Sequence, residues 1–283
     1  MSTFFDAHIH LDFVSDASDL ALFAGESERF VMANTVSPYG FMKMQMRFPG
    51  NPWVVPALGF HPWWVASNVL QPADLQLFEH LAPQAPFVGE VGLDFMGGRK
   101  QSAQDQLDAF DRIIEACAQP LVCPPAAEGF KRVISLHSAR AAMQVLDVLE
   151  RWDVTRDNAC IFHWFSGSSD ELQRAIGLGC FFSVGPRMLG TKKGAEYVKA
   201  IPADHLIFET DDPGKIDPAA WDSVCFTAEA PIPDPRVIAQ TVDEWRGRLA
   251  GARAVYERVT GRSYDPEDCT LKLAIPTAKL KDK

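Results

Sequence analysis

Histidines and carboxylates stand at the ends of five short apolar runs of this chain: His8-x-His10, Glu90, His137, His163 and Glu209-Thr210-Asp211. Imidazole and carboxylate are ligands of divalent metal ions, and separate strands delivering them from one end is how a barrel enzyme builds a metal pocket. In Asp6-Ala7-His8-Ile9-His10 the two-residue period of a strand puts both imidazoles on one face, close enough to share an ion. Glu90 lies inside the otherwise apolar Gly89-Glu90-Val91-Gly92-Leu93, where an unpaired ionised carboxylate would cost several kcal/mol. A salt bridge is the structural alternative, but no strand-like run offers an assignable interior Arg or Lys, and a glutamate bridging two metals satisfies both its oxygens. His137 closes Val133–His137, and His163 follows Ile161-Phe162. Glu209, Asp211 and Asp212 put three acids in four positions, an arrangement that repels itself without a cation. Asp211 is expected both to ligate metal and to take a proton from water, with Glu90 as its catalytic companion; a helix N-cap is the structural alternative for Asp211.

Two further residues are candidates for holding substrate. His61, in Gly59-Phe60-His61-Pro62, can reach it from a loop, and Arg140, three residues past His137, can fork onto a phosphate. Each could equally be a surface residue. His80 and His205 lie outside these patterns, and the tryptophans read as core.

These groups need a frame. Eight apolar runs recur at intervals suited to βα units: Phe4–His10, Arg29–Thr35, Trp53–Leu58, Phe87–Leu93, Val133–His137, Cys160–Phe165, Phe181–Val184 and Leu206–Thr210. Continuous apolar runs mark parallel strands buried on both faces, and eight of them predict a (β/α)8 TIM barrel. Helical periodicity fills the gaps, clearest at Gln101–Ala118 through Leu107, Phe110, Ile113, Ile114 and Cys117, and at Ala139–Arg151 through Ala142, Val145, Leu146 and Leu149. A single domain over 1–283 is expected, with a barrel core over about 4–215 and a C-terminal helical extension over about 216–283 carrying a long helix from about Val237 to Val259. Gln119–Lys131, with Pro120, Pro124 and Pro125, reads as an irregular loop and as an insertion beside the mouth.

Composition bounds the function. At 283 residues the chain suits one barrel, and 47% hydrophobic with 23% charged residues is globular. A net charge of −10 argues against an extended basic groove for duplex nucleic acid, although bound cations can make a local positive pocket in an acidic protein. Six cysteines without a C-x-x-C pair read as reduced thiols; no leader or membrane-length apolar run is seen, and a cytoplasmic protein is expected.

Taken together, Asp6-Ala7-His8-Ile9-His10-Leu11-Asp12, Gly59-Phe60-His61-Pro62, Gly89-Glu90-Val91-Gly92-Leu93-Asp94, Leu136-His137-Ser138-Ala139-Arg140, His163-Trp164-Phe165-Ser166-Gly167 and Glu209-Thr210-Asp211-Asp212-Pro213 resemble the TatD family of metal-dependent hydrolases, within the amidohydrolase-like barrels. The resemblance covers Asp6 to Pro213. It implies that His8, His10 and Asp211 hold one divalent ion, that Glu90 bridges, and that His137 and His163 hold a second, the pair being Zn, Mg or Mn. It implies a deoxyribonuclease, a 3′ to 5′ exonuclease on single-stranded or frayed DNA, working through hydroxide activated by two metals. The family's asparagine-and-phenylalanine ending is missing after Asp211. Two other readings stay open: C–N bond or small-phosphoester hydrolysis by the same centre, and a catalytically reduced subunit that binds a protein partner through 119–131 or the C-terminal extension.

Overall fold

The computed structural model describes residues 4–13, 29–49, 51, 54–122, 130–212 and 235–264. Trp53, most of the proline-rich loop (123–129), the segment 213–234 and the lysine-bearing end (265–283) lie outside the described residues. Eight strands, β1 (Phe4–Ile9), β2 (Arg29–Asn34), β3 (Val54–Phe60), β4 (Phe87–Asp94), β5 (Arg132–Ala139), β6 (Asn158–His163), β7 (Phe181–Val184) and β8 (Leu206–Phe208), pair in parallel in sequence order. The expected (β/α)8 TIM barrel is therefore the fold.

Its seam lies between the first and last strands. Asp211 N–H donates to His8 O at 2.8 Å and His10 N–H to Asp212 O at 2.8 Å. The buried Asp6 carboxylate accepts from Thr210 N at 3.0 Å and from Thr210 Oγ1 at 2.6 Å. These bonds use residues just beyond β8, because that strand ends at Phe208 and the chain then leaves the sheet, bending at Asp211, whose φ is 55°.

The helices are α1 (Pro38–Arg47), α2 (Pro62–Ala66), α3 (Pro72–Leu81), α4 (Ala103–Ala118), α5 (Ala142–Arg151), α6 (Ser169–Gly177), α7 (Pro186–Leu189), α8 (Lys192–Ala200) and α9 (Pro235–Thr260). Several start the moment a strand ends, because a cap follows it directly. Ser37 accepts from Gly40 N ahead of α1, His61 accepts from Trp63 N ahead of α2, and prolines at the first helical position pre-set φ in both. Ser168 and Glu171 form a reciprocal capping box on α6. Buried positions on α4 (Phe110, Ile113, Ile114, Cys117) and α5 (Ala142, Val145, Leu146, Leu149) recur at the three- and four-residue steps read in the sequence.

Two apolar layers result. Ala7, Met32, Ala57, Phe87, Val133, Ala159, Ile161, Phe181 and Ile207 plug the barrel interior, while Val88, Val91, Ile134, Leu136, Phe162 and Phe182 face the helices. The two-residue period then fixes what lies above the plug: Val133 leads to His137, Ile161 to His163, and Ile207 to Glu209 on the same inward face.

Gln119–Lys131 corrects one expectation. Residues 123–129 of it lie outside the described residues, but its described flanks join the end of α4 to the start of β5, at the face opposite the strand ends that carry the histidines. Arg132, which follows it, donates to the carbonyls of Ala82, Ala85, Cys117 and Gln119, anchoring this loop's root far from the mouth. Among the described residues no helix is long and apolar enough to cross a membrane.

Candidate metal centre

His8, His10, Glu90, His137, His163 and Asp211 converge at the C-terminal mouth of the barrel. Glu90 is at the centre: its Oε2 lies 3.2 Å from His8 Nε2, 3.1 Å from His10 Nε2 and 3.2 Å from His61 Nε2, and its Oε1 meets His137 Nδ1. His8 and His10 bring their Nε2 atoms to 3.2 Å of each other, and the His8 and His163 rings stack with centroids 3.8 Å apart. Three sets of ligand atoms lie close enough to hold an ion: His8, His10 and Asp211; His8, His163 and Glu209; and His61, Glu90 and His137.

Outer hydrogen bonds decide what each ring can do. His10 Nδ1 lies 3.1 Å from the carbonyl oxygen of Asn34, which can only accept, so Nδ1 carries a proton and Nε2 is the nitrogen turned to the Glu90 carboxylate; burial opposes charge on this ring, but Glu90, Asp12 and Asp211 outweigh it and raise it from its ordinary value. A proton on Nε2 satisfies this contact without metal, and a divalent cation can take that proton's place between the two groups. His61 has the other tautomer: its Nδ1 accepts from Trp63 N at 3.1 Å, leaving Nε2–H to donate to Glu90. His61 is therefore built as a donor, and His10 as a ligand. The donor set of imidazoles and carboxylates, buried with ring nitrogens turned inward, fits divalent metal ions.

Charge follows geometry. Burial, helped by neighbouring His163, pushes His8 down to about 3, and burial pushes His61 down to about 4, so both are neutral. Burial also opposes charge on His137 and His163, but the carboxylates outweigh it. Glu90 and Asp94 raise His137 to about 9, and Glu209 with Asp211 raises His163 to about 10. Glu90 itself, despite complete burial, is held well below the usual carboxylate range by the imidazoles around it, His61 donating its Nε2–H and His137 standing beside it as a charged partner.

Three residues without an assigned role in the sequence prove to be structural partners of the ligands. Glu209 accepts from His163 Nδ1 at 2.8 Å and from Ser183 Oγ. Asp94 faces His137 Nε2 at 3.1 Å, accepts from Trp63 Nε1 at 2.5 Å and pairs with Arg99 at 3.1 Å. Arg187 pairs with Asp211 at 2.8 Å. The two-residue period was a usable signal for Glu209, two before Asp211, and for Asp94, four after Glu90; nothing local marks Arg187. Among the described residues Glu90 has no Arg or Lys partner, and Arg132, the buried arginine of β5, is occupied at the opposite end of the barrel.

Glycines on both sides of Glu90 make room for the cluster. Gly92 has φ 140°, and a Cβ there would sit 2.1 Å from the His137 carbonyl oxygen, so only glycine lets β4 and β5 approach this closely.

The resulting cavity, of about 340 Å³, is lined by His10, His61, Glu90, His137, His163 and Asp211 together with Trp63 and Trp164. These two tryptophans wall the pocket, which corrects their reading as core. Arg140 is elsewhere: it is exposed and lines a neighbouring cavity with Lys100.

A family-wide sequence profile described as TatD related DNase matches residues 5–219. A putative deoxyribonuclease tatdn3 from Danio rerio is 24% identical over 74% of this chain and 80% of its own length. A 3′-5′ ssDNA/RNA exonuclease TatD from Pantoea vagans is 30% identical over 59% of this chain and 61% of its own length, so the chain spans about three-fifths of that relative. Among solved structures, YJJV, a TatD homologue from Escherichia coli K12, superposes with a TM-score of 0.63 at 21% identity, covering 96% of this chain and 93% of that one. An uncharacterized amidohydrolase from Saccharomyces cerevisiae has a TM-score of 0.60 at 17% identity, covering 99% and 98%. At such identities these two structures speak for the fold alone.

Proposed function

The chain belongs to the TatD-related DNase family, and from that premise we propose that it is a metal-dependent hydrolase of DNA, a 3′ to 5′ exonuclease on single-stranded or frayed strands. One observation carries the reading: His8, His10, His61, His137 and His163 converge from separate strand ends with Glu90 and Asp211 on one pocket, a donor set suited to divalent cations. His8, His10 and Asp211 would hold one ion, Glu90 would bridge, and His137 and His163 would hold the second, with Zn, Mg or Mn suited to this donor set. Bound there, two divalent ions offset charge developing on a phosphoryl group and lower the pKa of water from about 15.7 toward about 7.

The chain's own residues supply the rest. Burial raises the Asp211 carboxyl, and Arg187 fixes its orientation at 2.8 Å, so Asp211 is suited to accept a proton as attack proceeds. His61 keeps its Nε2 proton directed into the pocket, where it can turn from Glu90 to a phosphate oxygen. Trp63 and Trp164 offer flat walls for a sugar or base beside the reacting bond.

The test is an end-labelled single-stranded oligonucleotide incubated with metal-free protein and added Mg, Mn or Zn, alongside cyclic amides. Stepwise shortening from the 3′ end, abolished by chelation and by a folded His137→Ala variant, is the expected result. Amide hydrolysis with intact oligonucleotide would overturn the substrate assignment, and metal-independent behaviour on every substrate would overturn the enzyme reading itself.

A further inference from the structure

Beside the metal centre, where β4 and β5 leave the barrel, lies a second cavity of about 550 Å³ lined by Phe95, Met96, Gly97, Lys100, Arg140 and Gln144. We propose that it binds the phosphodiester next to the scissile one, so that the protein grips two successive nucleotides of its substrate strand; this rests on the nuclease reading above.

The placement is covalent and close. Phe95 follows Asp94 and Arg140 stands three residues past His137, so each loop carries a residue of the metal centre at its root. Phe95 N–H donates to Ala139 O at 2.9 Å, tying the two loops together. Met96 lines both cavities, so a chain leaving the first passes directly into the second.

Charge selects the ligand. The other arginines of the rim are already matched: Arg99 with Asp94, Arg187 with Asp211 and Arg248 with Asp212. Among the described residues Lys100 and Arg140 form no ion pair, and both are exposed. On a chain of net charge −10, two unmatched cations facing one cavity at the mouth create a local well for an anion. Arg140 is held there by a left-handed backbone (φ 56°), a conformation uncommon outside glycine and unneeded for an exposed side chain without a task. Phe95 and Met96 supply apolar surface, the Gln144 amide supplies donors and an acceptor, and the volume falls within the roughly 300–1,000 Å³ of small-ligand sites. A phosphate with an attached sugar and base matches that mixture; a bare anion would leave the apolar side unused.

The experiment compares wild type, Lys100→Ala/Arg140→Ala and its charge-keeping counterpart Lys100→Arg/Arg140→Lys. Arg258→Ala, on the exposed face of α9, controls for net charge. In the first arm KM and kcat are measured on a single-stranded oligonucleotide and on bis(4-nitrophenyl) phosphate, a diester with no neighbouring phosphate. The double alanine variant is expected to raise oligonucleotide KM about tenfold with kcat within about twofold, lowering the preference for oligonucleotide over small diester by about tenfold. The charge-keeping variant should recover most of it. In the second arm, fluorescence anisotropy with an oligonucleotide bearing phosphorothioate linkages gives Kd against salt, and loss of this one neutralised phosphate lowers the slope by about 0.7 on a single strand. An unchanged Kd and slope in the alanine variant, or equal losses on both substrates, would overturn the proposal. If wild type cleaves neither substrate with any metal, the nuclease reading fails on its own, and the anisotropy arm still decides the cavity.

Discussion

Each histidine proposed as a ligand is held by its second nitrogen, and the holder matters as much as the ring it holds. Glu209 fixes His163 through Nδ1, so Glu209→Gln exchanges a charged acceptor for an amide that must rotate to accept. Metal affinity is expected to fall about 10- to 100-fold in a chelator competition while the far-ultraviolet circular dichroism stays that of wild type. The same contacts set the pH response of the metal-stripped protein. His137 and His163 rise from an ordinary 6.5 to about 9 and about 10, so their folded forms bind protons more tightly than the unfolded chain does. Their contribution is complete below about pH 6.5 and disappears as pH climbs through 9 to 10. The melting temperature of chelator-treated protein should therefore drop over that interval, and a flat profile from pH 6.5 to 10 would refute the assignment. All six ligand candidates were legible from residue type and strand position, because an ionisable group in an apolar run demands an explanation. The tautomers were not legible: that of His10 depends on the Asn34 carbonyl, twenty-four residues away.

At the level of elements, the barrel mouth is assembled by strands whose glycines permit near contact. Gly92→Ala places a methyl group 2.1 Å from the His137 oxygen in a backbone region that L-residues avoid. The expected outcome is a loss of at least about 2 kcal/mol in urea unfolding, together with weaker metal retention, since β5 cannot keep His137 beside Glu90. Eight strands were readable as apolar runs, with ends displaced by a residue or two where caps intervene, such as His61 halting β3 to start α2. The location of Gln119–Lys131 was not readable from composition. Prolines mark a loop, but which face its flanks occupy follows from the βα alternation, and that alternation puts both flanks opposite the chemistry. The rim cations were half legible: Arg140 stood out near His137, whereas Lys100 acquires meaning only when the two loops are seen to share a cavity.

Over the whole molecule, α9 packs along the barrel's last strand. Tyr256 is fully buried, its ring 6.0 Å from that of Phe208 in β8, with Tyr264 4.6 Å from the same ring. The Tyr256 hydroxyl has no hydrogen-bond partner among the described residues. Tyr256→Ala should thus cost about 3–5 kcal/mol in thermal or urea unfolding, whereas Tyr256→Phe should stay within about 1 kcal/mol or stabilise. Equal losses in the two variants would mean that the hydroxyl, not the ring, is what matters. This packing favours treating the helix as part of one unit with the barrel, and the long amphipathic stretch was visible in the sequence although its docking site was not. The bonds from Asp211 N to His8 O and from His10 N to Asp212 O carry a temporal consequence. During synthesis a ribosome releases His8 and His10 some two hundred residues before Asp211 and Asp212, so the barrel seam that joins its first and last strands is closed only after nearly all of the barrel has been made.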